Sequence, residues 1–228
     1  MIATSGERKL IWDLPVRVFH WALVVLIPYS WYCVEVAEDM DRHMLTGYVI
    51  LALVMFRLAW GIIGPRYARF ASFVFSPARI LAYLRAARDD RDEGRGAVYA
   101  GHNPLGSLSV FALLGVLSLQ VSTGLFSSDE YSYFGPLAGL VSEDLSYEIT
   151  TFHHLNFKVI AALAALHIVA VFYYLLGRKE NLIVPMVTGY KRDGEGGMVP
   201  IAGSRLVVAA LTMAACAAAV CFIVGIGE

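Results

Sequence analysis

Residues 153–167 of the chain read HHLNFKVIAALAALH, an apolar stretch with a histidine at each end. His153 and His167 are 14 residues apart, which corresponds in an α-helix to about 1400° of rotation and roughly 21 Å of rise. Because this rotation is within about 40° of four whole turns, the two imidazoles share one helix face. The stretch therefore predicts a helix that presents two histidines at two different depths.

The composition indicates a membrane protein. Of 228 residues, 58% are hydrophobic and only 16% are charged, which is less charge than a soluble domain carries. The apolar residues fall into runs of about 20, the length of a helix that crosses a bilayer. Because a polar N-terminal segment leads directly into the first run, no cleavable signal peptide is expected. We assign five spans, at about residues 15–34, 43–63, 104–126, 152–176 and 206–225.

The charges divide between the two ends of these spans. Sixteen of the 18 basic residues lie in the N-terminal segment, in the 64–103 and 177–205 loops, or at the helix ends beside them. The positive-inside rule then predicts that the N-terminus lies in the cytoplasm and the C-terminus on the outer side of the membrane. The opposite, outer segments are acidic and contain Glu35, Glu38, Asp39, Asp41, Asp129, Glu130, Glu143, Asp144 and Glu148.

Histidines lie in or beside spans 1 to 4, whereas span 5 has none. We therefore expect an all-α fold, with an integral membrane four-helix bundle at residues 1–200 and an accessory fifth helix at residues 201–228. An amphipathic segment at about 77–88 predicts a short interfacial helix, and the charged run 89–96 predicts a solvated loop. The three cysteines form no ligand motif and are interpreted as apolar fillers.

The depths of the histidines suggest two pairs. His43 and His153 lie at the acidic outer edges of spans 2 and 4. By helix rise, His20 lies roughly 10 Å and His167 roughly 16 Å from the inner edge. We therefore pair His43 with His153 on the outer side and His20 with His167 on the inner side. His154 is turned about 100° from its neighbour His153 and is not chosen as a ligand.

Paired histidines at two depths favour haem over zinc. Zinc sites need three or four ligands that converge on one point, and two pairs about 20 Å apart do not converge. A proton path would favour carboxylates inside the spans, whose cores have none. Two imidazoles from facing helices suit the axial positions of a haem iron, with no position open for oxygen. The ordinary alternative for each histidine alone is a hydrogen bond to a neighbouring helix.

Two arginines are candidates for binding haem propionates. Arg57 lies 14 residues after His43, on the same helix face and at the depth of the inner pair. Arg17 lies three residues before His20, on the same side of span 1. Arginine binds carboxylates well, and the alternative is that both side chains reach the inner headgroups.

Three further residues invite a functional interpretation. His102 and Asn103 stand at the inner mouth of span 3 and are weak candidates for a quinone contact. The alternative is a surface histidine beside a helix cap. Lys158 lies about one and a half turns from His153 and points away from the ligand face, so we expect it to extend outward toward the headgroups.

Four segments together resemble a known family. They are IWDLPVRVFHW at residues 11–21, HMLTGY at 43–48, GHNPLG at 101–106 and the helix from His153 to His167. In these segments the chain is similar to bacterial cytochrome b561, a family that includes the b-type cytochrome subunits of nickel–iron hydrogenases. The similarity extends over about residues 10–192. It implies a four-helix core with two b haems, whose axial ligands carry over to His20, His43, His153 and His167.

The chain departs from the family pattern near the outer pair. His154 stands where family members often have Glu, and Lys158 stands where they usually have a small or uncharged residue. Both departures lie near the outer pair, so they leave the identity of the partner or substrate at that end open.

The resemblance implies electron exchange between the membrane quinone pool, as ubiquinone or menaquinone, and a redox partner. The acidic outer face favours a basic periplasmic protein such as a c-type cytochrome. One alternative is a superoxide:quinone oxidoreductase, which would need a positive outer funnel for its anionic substrate. Another is a b-type cytochrome subunit that anchors a hydrogenase or dehydrogenase. Membrane lipid is an expected partner, nucleic acid is not, and a homodimer is left open.

Overall fold

The computed structural model describes residues 6–89, 99–129, 132–193 and 197–226. The predicted loop residues 90–96 and the acidic Glu130 lie outside these ranges. Single 3₁₀ turns occur at Phe70–Ser72 and Ala138–Leu140. The other described elements follow in the order β1 (Arg8–Leu10), α1 (Leu14–Glu35), α2 (Met40–Ile63), α3 (Pro77–Asp89), α4 (Pro104–Gly124), α5 (Glu143–Leu176), α6 (Ile183–Thr188), β2 (Tyr190–Arg192) and α7 (Leu206–Val224).

Within the described ranges, five helices are long and apolar enough to cross a membrane: α1, α2, α4, α5 and α7. They correspond to the five predicted spans, so the expected membrane bundle of helices is confirmed. The helix α3 coincides with the predicted interfacial segment. Every one of the five long helices exposes large apolar side chains, which in water would form extensive hydrophobic patches prone to aggregation. Examples are Val25, Ile62, Leu119, Leu166 and Val207.

The helix that contains span 4, predicted at about residues 152–176, begins before that span, because α5 starts at Glu143. Ser142 caps α5 by accepting a hydrogen bond from the backbone N–H of Leu145, and Glu143 and Asp144 occupy its first turn, where the helix dipole favours negative charge. A helix of 34 residues is about 51 Å long, which exceeds the hydrocarbon core of roughly 30 Å. We call the end where α2 and α5 begin the outer end, and the opposite end the inner end.

The helix α2 lies at the centre of the bundle. It packs against α1, α4 and α7, while α4 packs along α5. Its buried side chains include Ile50, Val54 and Trp60. The helix α7, which carries no histidine, lies against α2 and α1. The helix α7 therefore flanks α1 and α2, each of which carries one histidine of a pair.

A small cap that the sequence did not predict closes the inner end. The strands β1 and β2 pair antiparallel, with Lys9 opposite Lys191. Gly189 ends α6 with a φ of +86°, and its carbonyl accepts hydrogen bonds from the backbone N–H groups of Ile11 and Trp12 at 2.9 and 3.1 Å. A Cβ at position 189 would lie 2.8 Å from the Trp12 carbonyl oxygen, so this contact requires glycine. The cap thereby fixes the start of α1.

Asp13 immediately precedes α1, and Pro15 lies in its first turn. An aspartate at this position is expected to cap the helix with its side chain, but this expectation is wrong, because the Asp13 side chain makes no cap hydrogen bond. Asp13 is 1% exposed, and its Oδ2 accepts a hydrogen bond from Trp60 Nε1 at 2.6 Å. Burial raises the pKa of the Asp13 carboxyl, against the opposing effects of this hydrogen bond and of the Arg57 and Arg17 cations. The carboxyl thus joins the start of α1 to the end of α2.

Candidate functional site

Two histidines face each other near the inner end. His20 lies on α1, two turns from its start, and His167 lies in the second half of α5. Their ring centroids are 6.4 Å apart, and the ring planes are inclined by 60°. The two residues that were paired by depth in the sequence are therefore neighbours in the structure.

A second pair lies near the outer end. His43 is in the first turn of α2, and His153 lies on α5, 14 residues before His167. The ring centroids are 6.3 Å apart, and the ring planes are inclined by 81°. The helix α5 thus contributes one histidine to each pair, and the two pairs are stacked along it.

The spacing within each pair fits one metal ion held between two imidazoles. Two metal–imidazole bonds of about 2.0 Å, with about 1.1 Å from each nitrogen to its ring centroid, sum to roughly 6 Å. At these centroid separations, the nearest nitrogens of the two rings are at least roughly 4 Å apart. This distance is too long for a direct hydrogen bond between the rings. Within the described residues, no group of three or more His, Cys, Asp or Glu could hold a metal ion. Two axial imidazoles on a haem iron fit this donor set, whereas a tetrahedral zinc site does not.

Hydrogen bonds hold the outer pair in position. The Nδ1 atom of His43 lies 3.0 Å from both the backbone oxygen and the hydroxyl of Ser30 on α1. The Nδ1 atom of His153 lies 3.0 Å from the hydroxyl of Thr123 on α4. In contrast, the buried Nδ1 atom of His20 has no hydrogen-bond partner among the described residues.

A hydrogen-bonded amide pair, the buried Asn156 and the half-buried Gln120, joins α4 and α5 near the outer end. Asn156, one turn after His153, donates through Nδ2 to Gln120 Oε1 at 2.7 Å and to the backbone oxygen of Val116 at 2.9 Å. A polar residue one turn from a histidine in an apolar span is a signal that could have identified Asn156 from the sequence. His154 is exposed beside the pair, with its ring centroid 6.3 Å from that of His153.

The two arginines proposed for propionates lie in different surroundings. Arg57 is 3% exposed, so its side chain does not reach the headgroups. Its Nη1 donates to the backbone oxygen of Ala68 at 3.1 Å, and its guanidinium lies 4.9 Å from the centre of the Phe70 ring. Arg17 donates through Nη1 to the backbone oxygen of Val187, while its buried Nε has no partner among the described residues. Arg17, one turn before His20, therefore keeps a donor available for an anion.

His102 and Asn103 also differ from each other. The ring of His102 lies between Trp12 and Phe73, with centroids 4.6 and 4.5 Å away, and its buried Nδ1 has no partner among the described residues. His102 lines a polar cavity of about 320 Å³ together with Arg79 and Tyr99. Burial lowers the pKa of His102 to about 3, and the Arg57 cation and His167 act in the same direction. The imidazole is therefore neutral at physiological pH.

The polar side-chain atoms of Asn103 both form hydrogen bonds within the fold. Its Oδ1 caps α4 by accepting from the backbone N–H of Gly106 at 2.7 Å, and its Nδ2 donates to the Tyr174 hydroxyl at 2.9 Å. The Tyr174 hydroxyl lies 2.9 Å from that of Tyr83. Asn103 thus links α4 to α5 and α3, and of the two residues only His102 has an unpartnered polar atom.

Membrane-crossing helices with histidine pairs facing each other at two depths define the class of membrane-bound b-type cytochromes. The chain belongs to the prokaryotic cytochrome b561 family, whose sequence profile matches residues 11–189. The resemblance seen in the sequence is thereby confirmed. The protein is a multi-pass membrane protein of electron transport that binds b-type haem.

The names of two related proteins agree with this family assignment. The chain is 23% identical over 226 residues to a protein of Azotobacter vinelandii named "Probable Ni/Fe-hydrogenase B-type cytochrome subunit", with 82% of this chain and 92% of the relative covered. It is also 23% identical over 217 residues to the "Probable Ni/Fe-hydrogenase 1 B-type cytochrome subunit" of Escherichia coli K12, with 79% and 89% covered. No solved structure is significantly similar to the chain.

Proposed function

We propose that the chain conducts electrons across the bacterial inner membrane through two b haems, between the quinone pool and a periplasmic redox partner. His20 and His167 bind the inner haem, and His43 and His153 bind the outer haem. This proposal rests on the distances between the ring centroids within the two histidine pairs, 6.4 and 6.3 Å, at two depths along α5. A b haem with two axial imidazoles supplies a one-electron redox centre without an open position for oxygen.

The orientation is proposed from charge. Exposed basic side chains at the inner end include Arg66, Arg69 and Arg79, whereas Asp41, Glu143 and Glu148 are exposed at the outer end. The positive-inside rule places the basic end, with the N-terminus, in the cytoplasm. The C-terminus then lies in the periplasm, beyond α7.

The charge at the outer end favours a basic electron partner over superoxide. The first turns of α5 carry exposed acidic side chains beyond the length that the hydrocarbon core needs. The Arg42 cation at this end forms an ion pair with Asp39, with Nε and Oδ2 3.1 Å apart. A positive funnel for an anionic substrate is thus not supported. Pulse radiolysis tests this alternative, and near-diffusion-limited haem reduction by superoxide would favour it.

Ionic strength should control docking of a basic c-type cytochrome. In proteoliposomes containing quinol, raising the ionic strength tenfold should slow electron exchange with added cytochrome c by about tenfold, because salt screens attraction between exposed charges. The double variant Glu143→Gln and Asp144→Asn should lose part of this salt dependence. Glu7→Gln, exposed at the inner end, is the matched control and should behave as wild type. A rate that does not respond to salt would contradict the docking model.

A second candidate partner comes from the names of the relatives. Both are described as cytochrome subunits of Ni/Fe-hydrogenases, which supports an anchor subunit for a periplasmic hydrogenase or dehydrogenase. Both candidates place the partner at the outer haem and quinone at the inner one. Copurification of the chain with a large iron–sulfur subunit would decide for the anchor.

We place the quinone, ubiquinone or menaquinone, in the cavity at His102. This cavity lies at the inner end, and the neutral imidazole of His102 supplies a polar atom that no described residue uses. Asn103 contributes indirectly, because it fixes the start of α4 next to His102.

Replacing His102 by leucine should impair quinone chemistry without loss of haem. His102→Leu keeps an apolar side chain between Trp12 and Phe73 but removes the ring nitrogens, so electron exchange with quinone should slow by about tenfold, the value of one hydrogen bond. The rate is measured by stopped-flow haem oxidation with a soluble quinone. His154→Leu, at an exposed histidine, is the control. Unchanged quinone kinetics in His102→Leu would show that the quinone does not bind in this cavity.

A further inference from the structure

The hydrogen bond of His43 determines which of its two ring nitrogens carries no hydrogen and can bind a metal. The backbone oxygen of Ser30, 3.0 Å from Nδ1, can only accept a hydrogen bond. Nδ1 of His43 therefore carries the hydrogen, and Nε2 has the bare lone pair that a metal requires.

The hydroxyl of Thr123 does the same for His153. Its oxygen lies 2.8 Å from the backbone oxygen of Leu119 and 2.9 Å from that of Gln120, neither of which carries a hydrogen. The single hydroxyl hydrogen is donated to these carbonyls, so toward Nδ1 of His153, at 3.0 Å, the hydroxyl acts as acceptor. Nδ1 of His153 is thus the donor as well, and Nε2 is bare.

The inner ligand His20 lacks such an acceptor. Its Nδ1 is buried and has no partner within the described residues. A hydrogen bond donated by a metal-bound imidazole raises the basicity of that ligand, and a more basic ligand stabilises the oxidised metal. The nearby Arg17 cation, one turn from His20, favours the reduced state of the inner centre instead.

We propose that Thr123 is a positioning residue that fixes the Nδ1–H tautomer of His153 and, together with Ser30, holds the reduction potential of the outer haem below that of the inner haem. This inference rests on the proposed function, because it takes the two histidine pairs as haem ligands. An outer centre of lower potential favours electron flow from the periplasmic side toward the quinone.

Thr123→Val tests this assignment, because valine keeps the branched shape and removes the hydroxyl that accepts from Nδ1 of His153 at 3.0 Å, while the backbone oxygen of Gln120, which also interacts with His153, stays in place. In a redox titration of the haem-loaded protein, the reduction equilibrium constant of the outer haem should rise about tenfold, a shift of about 59 mV for one electron, with the inner haem unchanged. The electron paramagnetic resonance signal of the outer haem should change with it. Selective loss of the outer haem would equally support the assignment.

Three controls sharpen the test. Thr123→Ser should restore wild-type behaviour, and Ser30→Ala should shift the outer potential less because the backbone oxygen of Ser30 stays. Thr212→Val removes a similar hydroxyl, bonded to the Val208 backbone oxygen, on α7, a helix without histidine. Wild-type titration of both haems in Thr123→Val, or a shift of the inner haem alone, would overturn the proposal. A wild-type protein with fewer than two haems would instead overturn the proposed function itself.

Discussion

His167→Ala should lose the inner haem and keep the outer one, and His43→Ala should do the reverse. Each variant removes one of two axial ligands, the remaining imidazole lies on a different helix, and the described residues contain no group of three metal-binding side chains that could hold a metal ion. We therefore expect about half of the wild-type haem per chain. A pyridine haemochrome assay on protein of known concentration measures this, and a redox titration shows which component has disappeared.

The neighbouring histidine provides the control for this expectation. His154→Ala changes a histidine next to His153 whose side chain is exposed, so it should retain both haems and their spectra. If His167→Ala or His43→Ala retains both haems with unchanged spectra, the pairing of ligands is wrong. If His154→Ala loses the outer haem, His154 rather than His153 is the ligand.

Asp13→Ala should be the most destabilising single change outside the histidines. The substitution removes the acceptor of the buried Trp60 N–H and the carboxyl that interacts electrostatically with the buried Arg57 and with Arg17. An unsatisfied buried donor together with an uncompensated buried cation costs about 3 kcal/mol. Thermal unfolding in detergent should show a clear decrease in the melting temperature.

Two variants separate charge from hydrogen bonding at this position. Asp13→Asn keeps an acceptor for Trp60 and removes the charge whose burial raises the pKa of Asp13, so it should lose less stability than Asp13→Ala. Asp41→Ala, at an exposed position in the first turn of α2, should cost no more than about 1 kcal/mol. Equal melting temperatures for Asp13→Ala and Asp41→Ala would show that the link from Asp13 to Trp60 does not stabilise the fold.

Much of the architecture could be predicted because it depends on local patterns. Apolar runs of about 20 residues specify the spans, and the 14-residue interval from His153 to His167 places two residues on one face whatever the helix packs against. The start of α5 could not be predicted in this way. Its first turns are acidic, and only the cap by Ser142 distinguishes a helix that continues beyond the bilayer from a polar loop.

Contacts between segments that are far apart in the sequence could not be predicted either. The pairing of β1 with β2 joins short polar strands about 180 residues apart, and neither has a hydrophobic pattern of its own. Likewise, a serine on α1 and a threonine on α4 gain their importance only when packing brings Ser30 to His43 and Thr123 to His153. Such roles depend on tertiary geometry, which spacing along the chain does not encode.

The number of haems per chain tests the account most directly. Purified wild-type protein, assayed by pyridine haemochrome and titrated from the oxidised to the reduced state, should contain two b haems per chain that are reduced in two one-electron steps. Both should be low-spin, as two axial imidazoles require. One haem per chain, or a high-spin haem with an open axial position, would contradict the assignment of His20, His43, His153 and His167 as two ligand pairs.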